Sequence, residues 1–121
     1  MNKREEPVRQ WFLNVLGNEC HVPASVMKSE VGFTLGSKQY RADILVWDRN
    51  AKPLAVVECK APQVRLSADV LDQAIRYNMA LDVNWIFLTN GLSTIVLRRT
   101  VSGYVLENEL PDYERMLIDS F

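Results

Sequence analysis

Two hydrophobic periodicities alternate along the chain, and together they predict its secondary structure. In residues 5–16 apolar side chains recur at the spacing of one helix face, at Val8, Phe12, Val15 and Leu16. Segments rich in apolar and β-branched residues follow and predict three strands, at residues 25–34, 39–47 and 53–60. The short polar connections between them indicate an antiparallel meander after one helix.

The second half of the chain predicts a different connection between strands. Ser67 is a favourable N-cap for a helix that runs to about residue 81, and residues 85–89 form a short apolar strand typical of a sheet centre. A strand at residues 93–99 and a short helix at residues 111–119 complete the pattern. Because the crossover is helical, the strand after it should run parallel to its partner. We therefore expect one α/β domain over residues 1–121, with a mixed sheet flanked by helices.

Asp43 and Glu58 interrupt two of these apolar strands. Burying an unpaired charge is costly, so a carboxylate within an apolar strand is an informative exception. If Asn50-Ala51 forms a two-residue hairpin loop, Asp43 lies directly opposite Glu58, with Cβ atoms about 4.5–5.5 Å apart. Two carboxylates at this separation repel each other unless a cation lies between them.

The same strands predict a Mg²⁺ centre for phosphodiester hydrolysis. Asp43, Glu58 and the backbone carbonyl of Cys59 would supply the oxygen ligands that Mg²⁺ prefers. The ion would lower the pKa of a bound water molecule, and Lys60 would orient that water or neutralise charge developing on the phosphate. The bare pattern of charges is also compatible with chance spacing, or with an edge strand whose charges prevent aggregation.

Several stretches of the chain match one known family when they are taken in combination. They are EEPVRQ at residues 5–10, RADI at 41–44, VECKAP at 57–62, DQAIRYN at 72–78 and TNG at 89–91. Together they resemble the N-terminal nuclease domain of type I restriction enzyme R subunits. The resemblance implies a PD-(D/E)XK restriction-endonuclease-like fold that cleaves DNA with Mg²⁺, for which Mn²⁺ would substitute.

The resemblance also assigns roles to residues around the proposed ion. It makes Asp43, Glu58 and Lys60 the catalytic core. It further implies that a glutamate of the first helix supports the metal site through water, and both Glu5 and Glu6 match that position.

The second helix carries a further motif of the family. Gln73 and Tyr77 match the QxxxY motif of the RecB-like branch, and their spacing puts both on one helix face. There they would contact phosphate or brace Lys60; a solvated helix face is the alternative.

Arginine side chains are the candidates for DNA contact outside the core. We assign this role to Arg9 and Arg76, although Arg9 also lies one helical turn from Glu5 and would pair with it. Glu30 and Arg41 are expected to form a structural ion pair.

The charge balance and the missing motifs limit what the chain does alone. A net charge of −1 and a pI near 5.8 argue against tight non-specific DNA binding. No G-x-x-x-x-G-K-[ST] loop is present, so ATP-driven translocation is not expected from this polypeptide. We expect DNA as substrate and specificity, methylation or motor subunits as partners. The alternative is a catalytically weak or inactive nuclease-fold module that docks onto such a complex.

The cellular setting follows from further absences in the sequence. No apolar run approaches the ~18 residues of a membrane span, and the charged N-terminal residues do not resemble a signal peptide. Cys20 and Cys59 form no CxxC pair, so reduced thiols in a cytoplasmic protein without membrane contact are expected.

Overall fold

The computed structural model describes residues 3–118, which form a six-stranded mixed sheet with helices on both faces. The strands are β1 (Met27–Leu35), β2 (Lys38–Trp47), β3 (Pro53–Cys59), β4 (Trp85–Thr89), β5 (Thr94–Thr100) and β6 (Gly103–Glu107). The helices are α1 (Glu6–Asn18), α2 (Ala68–Asn78) and α3 (Tyr113–Ile118). The strands follow their chain order across the sheet, and only β3 and β4 are parallel in these residues. The predicted α/β class and the parallel pair after the helical crossover are confirmed.

The helices cover opposite faces of the sheet because alternate strand residues point to opposite sides. On one face, Phe12 and Leu16 of α1 and Met116 of α3 pack against strand residues such as Phe87. On the other face, α2 packs with the cluster that contains Leu45, Val56 and Ile86. Within residues 3–118 no helix is both long and apolar enough to cross a membrane.

The β2–β3 hairpin has the register that the sequence predicts, although its loop is different. Ile44 pairs with Val57 and Leu45 with Val56, so Asp43 and Glu58 lie one position beyond the last pair. The connection is not the simple two-residue loop expected, because the register shifts between Val46 and Trp47. Ala51 has a φ of 63°, and the Asp48 carboxylate accepts the N–H groups of Asn50 and Lys52. This irregularity stays at the loop end of the hairpin and leaves the register near Asp43 unchanged.

Three differences from the predicted elements concern the second half of the chain. Strand β6 is not among the predicted strands; it follows a turn in which Gly103 has a φ of 118°, and it pairs with β5. Helix α2 ends at Asn78 and continues as a single 3₁₀ turn, Met79–Leu81, before Asp82 adopts a left-handed conformation. The predicted helix at 111–119 begins at Tyr113, and its last predicted residue lies outside the described range.

Adjacent aromatic residues of α1 provide a test of this packing. The Phe12 side chain is fully buried, whereas Trp11 is 44% exposed. Phe12→Ala should therefore lower the free energy of unfolding by about 3–5 kcal/mol, while Trp11→Ala should change it by roughly 0.5 kcal/mol. Urea unfolding followed by circular dichroism measures both. Equal losses for the two variants would contradict the assignment of α1 to this face.

Candidate functional site

An open cleft lies where β2 and β3 separate. Beyond the Ile44–Val57 pair, β2 continues alongside β1, while Glu58 and Cys59 of β3 pair with β4. The resulting space has a volume of about 360 Å³. Its lining consists of Glu5, Arg41, Ala42, Asp43, Val57, Glu58, Cys59, Lys60, Gln73, Tyr77 and Asn78. The structure therefore brings together the predicted core residues and several of the predicted surrounding residues.

Side chains replace the strand-to-strand hydrogen bonds that are lost where the two strands separate. The Cys59 N–H donates to Asp43 Oδ2 at 2.6 Å. On β2, the Arg41 N–H donates to the Tyr77 hydroxyl at 2.9 Å. The Cys59 N–H in particular needs such a partner, because Cys59 is buried and an unsatisfied buried N–H costs about 1–3 kcal/mol. Asp43 and Tyr77 therefore stabilise the separation of β2 and β3 as well as lining the cleft.

The environment of Asp43 raises the pKa of its carboxyl group. Burial raises its carboxyl pKa from 3.8 to about 6; the hydrogen bond from Cys59 opposes this shift, and the negative charge of Glu58 adds to it. The two carboxylates therefore repel each other across the cleft, as the hairpin register predicts. A cation held between them would remove that repulsion.

The two oxygens of Glu58 have different partners. Lys60 Nζ lies 3.0 Å from Glu58 Oε2, and Asn78 Nδ2 donates to Glu58 Oε1 at 3.1 Å. Burial acts to lower the pKa of Lys60, but the hydrogen bond and negative charge of Glu58 outweigh it, so this pKa lies above its ordinary value. The Lys60 side chain is therefore a cation at neutral pH.

The structure distinguishes the two acidic residues at the start of α1. Glu5 is the N-cap of the helix and lines the cleft. Glu6 lies one residue further on, where its carboxylate forms an ion pair with Arg9 and accepts a hydrogen bond from Gln10. Of the two matching residues, Glu5 is thus the one placed to support a site in the cleft.

The predicted DNA-contact and surrounding residues have different positions. Gln73 and Tyr77 line the cleft, and Arg76 is exposed on the same helix. Arg9 is only 6% exposed and is paired with Glu6, so its expected contact with DNA is not supported. The Tyr77 hydroxyl accepts a hydrogen bond from a backbone N–H of β2, a contact that differs from the predicted bracing of Lys60.

An ion pair at the β1–β2 edge borders the cleft. Arg41 and Glu30 approach to 3.7 Å, as the sequence predicts. Glu30 has a φ of 55°, an unusual conformation within a strand. On β1 it lies between two paired residues whose partners on β2 lie on either side of Asp43.

The donor groups of the cleft fit a hard divalent cation. Among residues 3–118 there is no group of three or more His, Cys, Asp and Glu side chains that could hold a metal. The cleft offers the Asp43 and Glu58 carboxylates and the Cys59 carbonyl as oxygen donors, to which water could be added. Mg²⁺ typically binds through one or two carboxylates and keeps several water molecules. The Cys59 thiol is buried and its pKa is raised by burial, so this residue would contribute only its backbone.

Sequence reasoning missed Asn78 at this site. It follows Tyr77 directly and is 2% exposed at the end of α2. The sequence pattern predicts an apolar stripe through Val70, Ala74, Tyr77 and Leu81, and it does not single out a buried amide beside that stripe. In the structure Ala74 is buried and Leu81 packs on the core as predicted, whereas Tyr77 is 39% exposed.

Comparisons with known proteins agree with the predicted resemblance. The family model described as "Type I restriction enzyme R protein N terminus" matches residues 4–111. A solved fragment described as an HsdR subunit of a type I restriction enzyme from Vibrio vulnificus YJ016 has the same fold, with a TM-score of 0.73 and 21% sequence identity. The similarity covers 98% of this chain and 25% of that chain, so this chain spans about a quarter of its length. No curated protein matches the chain significantly.

The raised pKa of Asp43 predicts a pH-dependent stability difference. Because the folded value of about 6 lies above 3.8, the metal-free folded state binds more protons, and the unfolding free energy contributed by Asp43 falls as pH rises between these values. Asp43→Asn removes the ionisable group. Its stability relative to wild type should increase by on the order of 2 kcal/mol from about pH 4 to pH 7.

Urea titrations of both proteins in chelator, at each pH, measure this difference. A difference that stays constant across the window would show that Asp43 titrates as it does in the unfolded chain.

Proposed function

This chain belongs to the family of type I restriction enzyme R protein N termini, and we propose that its cleft is a Mg²⁺-dependent centre that hydrolyses DNA phosphodiester bonds. The observation that carries the proposal is the convergence of Asp43, Glu58 and Lys60 in one open cleft. Asp43 lies in the middle of β2, Glu58 near the end of β3 and Lys60 directly after it, where the separation of the two strands creates the space for a substrate.

The acidic residues and one carbonyl form the proposed ion site. Asp43, Glu58 and the Cys59 carbonyl would hold Mg²⁺, with Glu5 contributing through water. When bound, the ion would polarise the scissile phosphate and lower the pKa of an attacking water. Ion binding would hold Asp43 in its ionised form, because a ligand carboxylate must be ionised, and would lower its raised pKa.

Lys60 acts through its positive charge. Its raised pKa keeps the ammonium protonated, so it donates hydrogen bonds and is not the base that takes a proton from water. In the metal-free cleft this charge is directed to Glu58. With DNA bound, we propose that it neutralises charge on the phosphate oxygens, an electrostatic effect that is strongest when the donor is already in position.

The exposed face of α2 would position the DNA backbone. Gln73 lines the cleft as an amide donor, and Arg76 is an exposed cation on the same helix. Tyr77 would act indirectly, because its hydroxyl holds the Arg41 backbone next to Asp43. These contacts read phosphate and carry no sequence information.

DNA would be delivered by other parts of a restriction complex. The net charge of −1 gives the domain little non-specific affinity for DNA. We propose that the domain works in the cytoplasm with specificity, methylation or motor subunits, which choose the DNA and bring it to the cleft.

A plasmid assay tests the proposal directly. Purified protein with supercoiled DNA and Mg²⁺ or Mn²⁺ should produce nicked or linear products, and Asp43→Asn and Lys60→Gln should each lower the rate by about 100-fold or more. Asparagine is preferable to alanine at position 43, because its carbonyl can still accept the Cys59 N–H. Lys52→Gln is a matched control, since Lys52 is exposed in the β2–β3 connection and outside the cleft. Cleavage that persists in both cleft variants would refute the assignment.

Metal binding distinguishes an active centre from the alternative docking module. Titration calorimetry of the wild type with Mn²⁺ should show binding to one site, and Glu58→Gln should weaken it by about 10-fold or more, because an anionic ligand is replaced by a neutral amide. Absence of detectable binding to the wild type would favour a module that docks without catalysis. The ion pair between Lys60 and Glu58 favours the docking module, because the Lys60 ammonium neutralises part of the negative charge of the cleft without a metal ion.

A further inference from the structure

Asn78 lies behind Glu58, at the inner end of the cleft. It is the last residue of α2, is 2% exposed and also lines the cleft. Its Nδ2 atom donates to Glu58 Oε1 at 3.1 Å and to the Ala74 carbonyl at 2.8 Å. The residue therefore connects the helix backbone on one side to a proposed metal ligand on the other.

The orientation of the Asn78 amide follows from its neighbours. Here both contacted atoms, a carboxylate oxygen and a backbone carbonyl, accept hydrogen bonds and cannot donate to an oxygen at neutral pH. The NH₂ group must face them, and its two hydrogens match the two acceptors.

The two partners of Glu58 differ in how firmly they are held. Lys60 reaches Oε2 through a flexible side chain that is 30% exposed. Asn78 is buried, short and anchored to its own helix by the bond to Ala74. Lys60 can therefore turn towards a phosphate while Asn78 keeps its bond to Oε1.

We propose that Asn78 is a positioning residue that fixes the Glu58 carboxylate in the orientation needed to bind a divalent cation. Its single hydrogen bond satisfies one lone pair of Oε1 and restricts rotation of the carboxylate, while Oε2 faces the ammonium group of Lys60. Outer partners of this kind typically change metal affinity or activity by 10- to 100-fold when they are removed. The role in metal binding rests on the function proposed above, whereas the orientation of Glu58 does not.

Mn²⁺ affinity, measured by calorimetry on the whole chain, tests the metal-binding role. Asn78→Leu keeps nearly the same side-chain shape but removes the donor, and we expect it to weaken Mn²⁺ binding by about 10- to 100-fold. Ile75→Val is the matched control: it perturbs the packing of the same helix without touching Glu58, and its affinity should equal that of the wild type. Asn78→Ala repeats the measurement should the leucine variant not fold. Wild-type affinity in a folded Asn78 variant would overturn the proposal, and so would an equal loss in Ile75→Val.

A second measurement needs no metal and separates the two proposals. In metal-free protein, the Asn78 side-chain NH₂ resonances should be protected from solvent exchange and should shift on Glu58→Ala, while Lys60→Gln leaves their protection intact. If the wild type binds no Mn²⁺ but these resonances respond to Glu58→Ala, the proposed function fails and the orientation of Glu58 by Asn78 stands. Resonances that are indifferent to Glu58→Ala would overturn the positioning role, whatever the protein does with metal.

Discussion

The hydrogen bond from the Cys59 N–H to the Asp43 carboxylate is the interaction on which the cleft depends. Two neighbouring strands can separate inside a sheet only if their backbone groups find other partners, because buried N–H groups without acceptors are costly. Asp43 supplies that acceptor at 2.6 Å, so the side chain that makes the opening possible is also one that faces into it. Asp43 therefore contributes both to the shape of the cleft and to its proposed chemistry.

Helix α2 forms two further hydrogen bonds with the separated strands, one with β2 and one with β3. Tyr77 accepts the Arg41 N–H on β2, and the next residue, Asn78, donates to Glu58 on β3. One turn at the end of a single helix therefore holds both separated strands. Because Leu71 and Ile75 of the same helix pack on the sheet, the positions of these two contacts are set by the hydrophobic core. This explains how a cleft with an open mouth keeps its polar side chains in a defined geometry.

The sequence was sufficient to predict features that depend on local pattern. It was insufficient to predict those that depend on how the elements pack against one another. Strand periodicity predicted that Asp43 and Glu58 share a face, and the observed pairs from Ile44–Val57 onwards agree with that register. Position along the chain could not separate Glu5 from Glu6, because the choice depends on where the helix begins relative to the cleft. Asn78 was not predicted because a single amide on a helix has no pattern of its own, and its burial depends on how α2 packs against the Glu58 end of β3. The metal, the reaction and the partners rest on chemical argument and family membership.

The electrostatics of the cleft link its stability to its proposed use. Burial and the nearby Glu58 charge raise the pKa of Asp43 to about 6, so at neutral pH its ionised carboxylate lies in an unfavourable environment. Lys60 compensates for part of this negative charge, but its ammonium group pairs with Glu58 and carries only one positive charge for the two acids. A divalent cation between the two acids would compensate both and release Lys60 for a phosphate. Because Lys60 compensates only one of the two negative charges, the repulsion between Asp43 and Glu58 would favour binding of a divalent cation in place of the Lys60–Glu58 ion pair.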